Sequence, residues 1–311
     1  MHNTDNNNHT ELPLTMQAVV AYAPGDYRLE EVGVPKVGEG EVLIKVEACG
    51  ICAGDLKAYE GAPSFWGDDT QPAYIKAPMI PGHEFIGHVM ALGEGVKNLE
   101  VGDRVISEQI VPCWECRFCN RGQYWMCEKH DVYGFQHNVN GGMAEYLVFP
   151  KEAINHKLPD EIPMEKAVLI EPYACSLHAV KRAQIELGDV VVLSGAGTLG
   201  LGMIGAIKKS GPSKLVVLDL NNKRLELAKQ FGADIVLNPT EVDVIDYVKG
   251  ITEGYGCDIY IEASGAVQSV EQGLYMIRKL GRFVEFSVFK EPVTVDWSII
   301  SDREELDVLG A

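Results

Sequence analysis

Cys113, Cys116, Cys119 and Cys127 fall within fifteen residues in the spacing Cys-x2-Cys-x2-Cys-x7-Cys. Four thiolates at that spacing are the donor set of a closed tetrahedral zinc site, and with no coordination position left open such a site is structural. Disulfide pairing is the competing reading, but it needs an oxidising compartment, and the Asn-rich opening residues contain no apolar run of the kind that exports a chain. Chemistry therefore belongs elsewhere. Cys52, in Cys-Gly-Ile-Cys-Ala-Gly-Asp, and His83-Glu84, in Pro-Gly-His-Glu, offer the mixed donors of a zinc held by three protein groups with one position open.

A third constellation is Gly195-Ala196-Gly197-Thr198-Leu199-Gly200, a G-x-G-x-x-G match that is weak alone because glycine-rich turns are common. Context strengthens it: a strand-like run precedes it, a helical pattern starts at Thr198, and Asp219 closes the run KLVVLD nineteen residues after Gly200. There a carboxylate can accept from a ribose 2′-hydroxyl while the glycines let a pyrophosphate approach the helix N-terminus. A merely structural strand–turn–helix is the alternative. Asp219 would repel a 2′-phosphate, which favours NAD over NADP, and Arg224 either stacks on the adenine or is a solvated helix charge.

The elements that must position these groups come in two patterns. From Met16 to about Pro150 short apolar runs alternate with Gly and Pro; Val42, Ile44 and Val46 share a strand face, and Val105–Ile106 and Tyr146–Val148 look similar. From Glu165 helix and strand take turns: a helical run over 165–183, strands at 190–193, 215–218, 235–237, 259–261 and 283–286, and helices at 223–231 and 267–279. That predicts a β-rich N-terminal domain followed by a doubly wound parallel α/β domain. At 311 residues, 46% hydrophobic and 23% charged, the chain is long enough for two cores. A net charge of −18 argues against binding phosphate backbones, so no nucleic-acid partner is expected. The eighteen uncharged residues 190–207 have the length of a membrane span, but Gly195 and Gly197 break them into strand and helix, so no membrane partner is expected either. The expectation is a cytoplasmic protein with a flexible tail over residues 1–15.

With Gly50-Ile51-Cys52, Asp55, Pro81-Gly82-His83-Glu84, Gly102-Asp103-Arg104-Val105, the cysteine quartet, Gly141-Gly142-Met143-Ala144-Glu145-Tyr146, Glu171-Pro172, the Gly195 fingerprint and Glu262-Ala263-Ser264-Gly265, the chain resembles the zinc-dependent medium-chain alcohol and polyol dehydrogenases from Met16 to its last residue. Glu171-Pro172, where other branches carry a cysteine, resembles the sorbitol-dehydrogenase-like branch, and the wider wording resembles erythritol/L-threitol dehydrogenases. The resemblance implies a GroES-like catalytic domain over 16–172 and a Rossmann NAD-binding domain over 173–311. It implies a catalytic zinc held by Cys52 and His83, with Glu84 and Glu171 completing the site directly or through water, and Asp55 orienting His83. It also places Gly195, Gly197, Thr198, Leu199, Gly200, Asp219, Arg224, Ser264 and Phe286 at the cofactor, and implies a homodimer or homotetramer.

Two departures stand out. Many relatives carry Ser or Thr two residues after the ligand cysteine to pass the substrate proton outward; here that residue is Gly54. The expected route is then a water at the metal near Glu84 or Glu171, with Lys57, where the relay often ends in His, near the cofactor ribose. The resemblance also implies a further segment after Ala311 that returns to the catalytic domain. The implied reaction is reversible oxidation of a secondary hydroxyl of a small polyol to a ketose. Sorbitol, xylitol, butanediol and threonine are the competing substrates, with Tyr59, Phe65 and Trp66 as pocket candidates. A zinc-free reductase of the same superfold and a non-catalytic NAD-binding protein compete with the zinc-enzyme reading itself.

Overall fold

In the computed structural model, which describes residues 12–289 and 292–311, the first unit runs to Glu171 and the second from Pro172 to Ala311. Residues 1–11 of the expected tail lie outside the described residues; a strand already begins at Thr15.

The first unit contains β1 (Thr15–Ala23), β2 (Asp26–Gly33), β3 (Val42–Gly50), α1 (Ala53–Tyr59), α2 (Pro63–Trp66), β4 (Glu84–Leu92), β5 (Arg104–Ser107), β6 (Ile110–Val111), β7 (Asp131–Val132), β8 (Tyr146–Phe149), β9 (Asn155–Lys157) and α3 (Met164–Ala167). Strands β8-β3-β4-β5-β9 form an antiparallel sheet in that order. Alternation along β3 sends its two faces to different cores: Val42 and Ile44 pack with Phe85, Val89 and Val105, while Leu43 packs with Met16, Ala18 and Ile80. Each such side chain contributes about 1.5–3 kcal/mol by leaving water, so the β3–β4 register is strongly specified. That register sets Gly50 opposite Glu84, which brings the segments carrying Cys52 and His83 to one end of the sheet.

An ion pair buried on its arginine side ties the sheet to the segment behind it. Arg104 is 4% exposed; its Nε and Nη2 donate to the Glu47 oxygens at 2.7 and 3.0 Å, and its Nη1 donates to the Ile162 carbonyl. Such bidentate geometry suits guanidinium and not ammonium.

Helix α4 (Ile170–Ala183) leads into the second unit, which holds β10 (Val190–Ser194), α5 (Thr198–Lys209), β11 (Lys214–Leu218), α6 (Asn222–Phe231), β12 (Ile235–Leu237), α7 (Val244–Ile251), β13 (Cys257–Glu262), α8 (Val267–Met276), β14 (Ile277–Glu285) and β15 (Asp307–Gly310). The strands are parallel in the order β12-β11-β10-β13-β14-β15, the doubly wound arrangement in which sequence order reverses between β10 and β13. Both sheet faces are covered. Val191, Leu193, Val217 and Ile261 pack with Met203 and Ile204 of α5, whereas Val192, Val216 and Tyr260 pack with Val248 of α7 and Leu274 of α8.

Two helices differ from expectation. The single run over 165–183 is broken between Ala167 and Ile170. Pro172 has no N–H to give the carbonyl of Val168 and its ring would collide with it, so it stands in the first turn of a new helix instead. The run over 267–279 stops at Met276, because Ile277 turns extended (φ −73°, ψ 141°) and pairs with Cys257. The uncharged stretch 190–207 is strand, turn and helix, and no helix among the described residues is long and apolar enough to cross a membrane.

Arg104→Ala strands the Ile162 carbonyl and leaves the partly exposed Glu47 carboxylate to His88 at 3.5 Å, and should lower stability by about 2 kcal/mol, read as a shift in the urea midpoint; Arg104→Lys should recover only part of it.

Candidate functional site

Gly50 ends β3, and the chain turns so that Cys52 caps α1 in extended conformation (φ −75°, ψ 154°). The Cys52 N–H donates to Asp55 Oδ2 at 2.8 Å, and Asp55 Oδ1 faces His83 Nδ1 at 3.5 Å. Among the described residues neither of those two facing atoms has a hydrogen-bond partner, and both side chains are less than a tenth exposed. A proton on Nδ1 turned toward Asp55 leaves Nε2 as the ligating lone pair. Burial holds His83 below its usual range despite the pull of Asp55, so the ring is neutral, the form that binds metal.

His83 is kept in place by two glycine-rich segments that interlock. Gly141 donates to Ile80, Gly142 to Gly82 and Met143 to Pro81, at 2.7, 2.9 and 2.9 Å. Phe135 lies 5.3 Å from the His83 ring and stacks on Phe65, also at 5.3 Å. Glu84 points back toward β3: a Cβ on Gly50 would stand 2.3 Å from its Oε2, so a larger residue there would push the carboxylate from its place.

The Cys52 sulfur, a His83 ring nitrogen and a Glu84 oxygen all lie within 4.8 Å of one another. Burial pushes the Cys52 thiol up to about 12, with the charges of Glu84, Asp55 and Glu171 adding to it. Burial, then Asp55, likewise raises Glu84. A thiolate among carboxylates in a half-buried site is favourable only around a cation, and a Cys/His/Glu donor set fits zinc. Glu171, on the first turn of α4 and 8% exposed, is not in that three-residue cluster; its Oε1 accepts from Gln109 Nε2 at 2.6 Å. Spacing gives no hint of Gln109, since its partner is 62 residues away. Lys57 lies in the last turn of α1. At Gly54 an added Cβ would meet Cys52 Sγ at 3.7 Å and Phe65 at 3.8 Å, ordinary contacts. Phe65 and Trp66 pack against the cluster of Ala58, Met79 and Phe135, while Tyr59 is exposed and edge-on to Tyr27.

The second cluster is Cys113, Cys116, Cys119 and Cys127, whose sulfurs lie within 4.8 Å of one another. Cys113 and Cys119 sulfurs are 4.0 Å apart, near the edge of roughly 3.8 Å that a zinc tetrahedron with Zn–S of about 2.3 Å requires. None of the eight cysteines is in a disulfide. Backbone N–H groups of Cys113, Glu115, Cys116 and Cys119 point at the sulfurs. The Cys119 amide, then that of Glu128, pull Cys116 down to about 6, the electrostatics a thiolate ligand needs, while burial pushes Cys119 up to about 12. Cys257 is fully buried and Cys49 and Cys175 partly so.

In the second unit the phosphate-type loop has the glycines where geometry demands them. Gly195 has φ +107° and abuts the Ala263 carbonyl, and a Cβ on Gly200 would stand 1.9 Å from the Gly195 oxygen. Gly197 caps α5 with open space at its Cβ position, so a ligand can approach the free amides of the first turn through Thr198 and Leu199. Asp219 braces this loop: Oδ2 accepts from Ala196 N and Oδ1 from Asn221 N, each at 2.8 Å. Each oxygen keeps a second lone pair for a ribose hydroxyl. Arg224 reaches Asp219 at 3.8 Å and is half exposed. Ser264 hangs by its amide, at 2.9 Å, and by its hydroxyl on buried Glu262, and Phe286 N donates to the Glu262 carbonyl at 3.1 Å.

Comparison with known proteins adds to this geometry. Residues 38–160 match the alcohol dehydrogenase GroES-like domain and residues 198–311 the zinc-binding dehydrogenase domain. The chain is 54% identical over 304 residues to an erythritol/L-threitol dehydrogenase of Mycolicibacterium smegmatis, covering 97% of this chain and 84% of that protein. It is 40% identical over 296 residues to an L-threonine 3-dehydrogenase of Pyrococcus horikoshii, covering 95% and 82%. Among solved structures, a putative zinc-binding dehydrogenase of Sinorhizobium meliloti bound to NADP superposes with a TM-score of 0.86 at 28% identity, over 96% of this chain and 84% of that one.

Cys113→Ser should remove one metal equivalent per chain and lower the melting temperature, because metal binding there is coupled to folding; metal analysis alongside a thermal melt checks both. Gly200→Ala should abolish NADH binding in a fluorescence titration while the metal content stays that of the parent, since the added methyl displaces the loop from its helix.

Proposed function

We propose, since the chain belongs to the zinc-dependent medium-chain alcohol and polyol dehydrogenases, that it oxidises a secondary hydroxyl of a four-carbon polyol of the erythritol or threitol type to the ketose, with NAD as hydride acceptor. The observation that carries the metal chemistry is the Cys52–His83–Glu84 cluster, three donors from two segments that the β3–β4 register brings together. Support for the four-carbon substrate is the 54% identity to the erythritol/L-threitol dehydrogenase.

When bound by Cys52, His83 and Glu84, zinc supplies Lewis acidity that makes the substrate hydroxyl easier to deprotonate. Asp55 keeps His83 in the tautomer that presents Nε2. Gly54 offers no hydroxyl, so the substrate proton leaves toward the carboxylates of Glu84 and Glu171, and Lys57 serves the cofactor ribose. Gly195, Gly197, Thr198, Leu199 and Gly200 seat the pyrophosphate, and Ser264 and Phe286 line the cofactor site. Asp219 takes the adenosine ribose and, being anionic beside the 2′ position, disfavours a 2′-phosphate, which supports NAD over NADP. Assembly as a homodimer or homotetramer belongs to the same reading.

L-Threonine is the second substrate to test, because of the 40% identity to the threonine dehydrogenase. NADH formation across erythritol, both threitols, sorbitol, xylitol, 2,3-butanediol and L-threonine should show kcat/KM highest for a four-carbon polyol; preference for threonine or a longer polyol would replace the substrate assignment. Cys52→Ser and His83→Ala should each reduce turnover to background while NADH still binds, and retained turnover would remove the metal from the chemistry.

A further inference from the structure

Gln109 donates from Nε2 to Glu171 Oε1 at 2.6 Å, and the carboxylate it holds is 8% exposed. A carboxylate this buried needs such a donor, and a hydrogen bond to an ionised group is among the stronger kinds. The amide also comes from a stretch with little freedom. The Gln109 carbonyl accepts from Tyr133 N at 3.1 Å and Glu108 N donates to Ile154 at 2.9 Å. The Glu108 side chain is itself held, by the Tyr124 hydroxyl at 3.1 Å and His156 Nε2 at 3.2 Å. Glu171, by contrast, stands on the first turn of α4 just after the helix break. Its charge is felt at Cys52, yet it is not one of the three residues whose donor atoms cluster.

We propose that Gln109 is a positioning residue that keeps the Glu171 carboxylate beside the Cys52–His83–Glu84 donor set and out of it. Three protein donors leave a zinc site one open position for substrate, and a fourth carboxylate would close it into the structural type. Gln109 thus keeps the site catalytic in kind. The role rests on the zinc-dehydrogenase reading and adds the residue that preserves its open position.

Cobalt(II) in place of zinc reports coordination at this site independently of activity. In Gln109→Leu, Glu171 should swing in: the cobalt visible absorption should change, the metal should be held about tenfold or more tightly against a chelator, and kcat should fall roughly 10- to 100-fold with NADH affinity unchanged. Gln109→Asn, one methylene short of its partner, should behave alike and serves if the leucine variant folds poorly. Adding Glu171→Ala to either variant should restore the parent absorption, a reversal that a merely structural role would not produce. A parent-like spectrum in both single variants, or a change that persists in the double variants, overturns the proposal. Failure of the zinc reading looks different: the parent protein itself would take up one metal per chain, that of the cysteine quartet.

Discussion

The site hangs on one buried carboxylate. Asp55 joins the two segments that carry metal donors, holding the Cys52 amide with Oδ2 and facing His83 with Oδ1. Desolvation penalises the charge on such a group, and the His83 ring facing one oxygen and the Cys52 amide bonded to the other offset part of that cost. The sheet brings both to it. Because Gly50 pairs with Glu84, the turn after β3 and the start of β4 emerge side by side, and α1 folds Asp55 back between them. A one-residue slip would send Ile44 and Val42 to the wrong core and separate the donors at once. Hydrophobic registration of the sheet and chemical registration of the site are thus the same constraint.

The two cysteine-containing clusters solve opposite problems. At the quartet, amides from neighbouring residues turn toward the sulfurs and draw Cys116 down to about 6, while burial pushes Cys119 up to about 12, so part of the set favours the thiolate before any metal arrives. At Cys52, burial and three nearby carboxylates disfavour the thiolate, so binding must be driven by the cation's own charge. The first arrangement stabilises a fold; the second keeps a reactive position at the cost of local stability, as functional sites commonly do.

Legibility in the sequence followed locality. The quartet is contiguous, so spacing alone pointed to its chemistry, the Gly195 loop needed only the strand and helix beside it, and the parallel α/β pattern was readable because the central strands β10, β11 and β13 carry apolar runs buried on both faces. Cys52 and His83 come together only in the folded chain, and the family resemblance paired them where spacing was inconclusive. Helical periodicity over 165–183 concealed the break that Pro172 imposes, and periodicity over 267–279 ran past Met276 because Ile277 is apolar in either state. Gln109 was invisible: a single amide between two short strands has no periodicity, and its significance lies wholly in a partner distant in sequence.

Under the proposed NAD assignment, Asp219 entangles cofactor preference with loop geometry. Its oxygens hold Ala196 inside the phosphate-binding turn and Asn221 at the entry of α6. A residue chosen only to read a ribose could be exchanged for a smaller or cationic one to admit a 2′-phosphate. Here that exchange also releases the Ala196 amide, in the turn between Gly195 at φ +107° and the helix that must meet the pyrophosphate. In that assignment charge repulsion acts through the same two oxygens that brace the loop. Changing specificity at this position therefore requires a second donor–acceptor pair to hold the turn, and substitution at Asp219 alone weakens binding of both dinucleotides before it favours either.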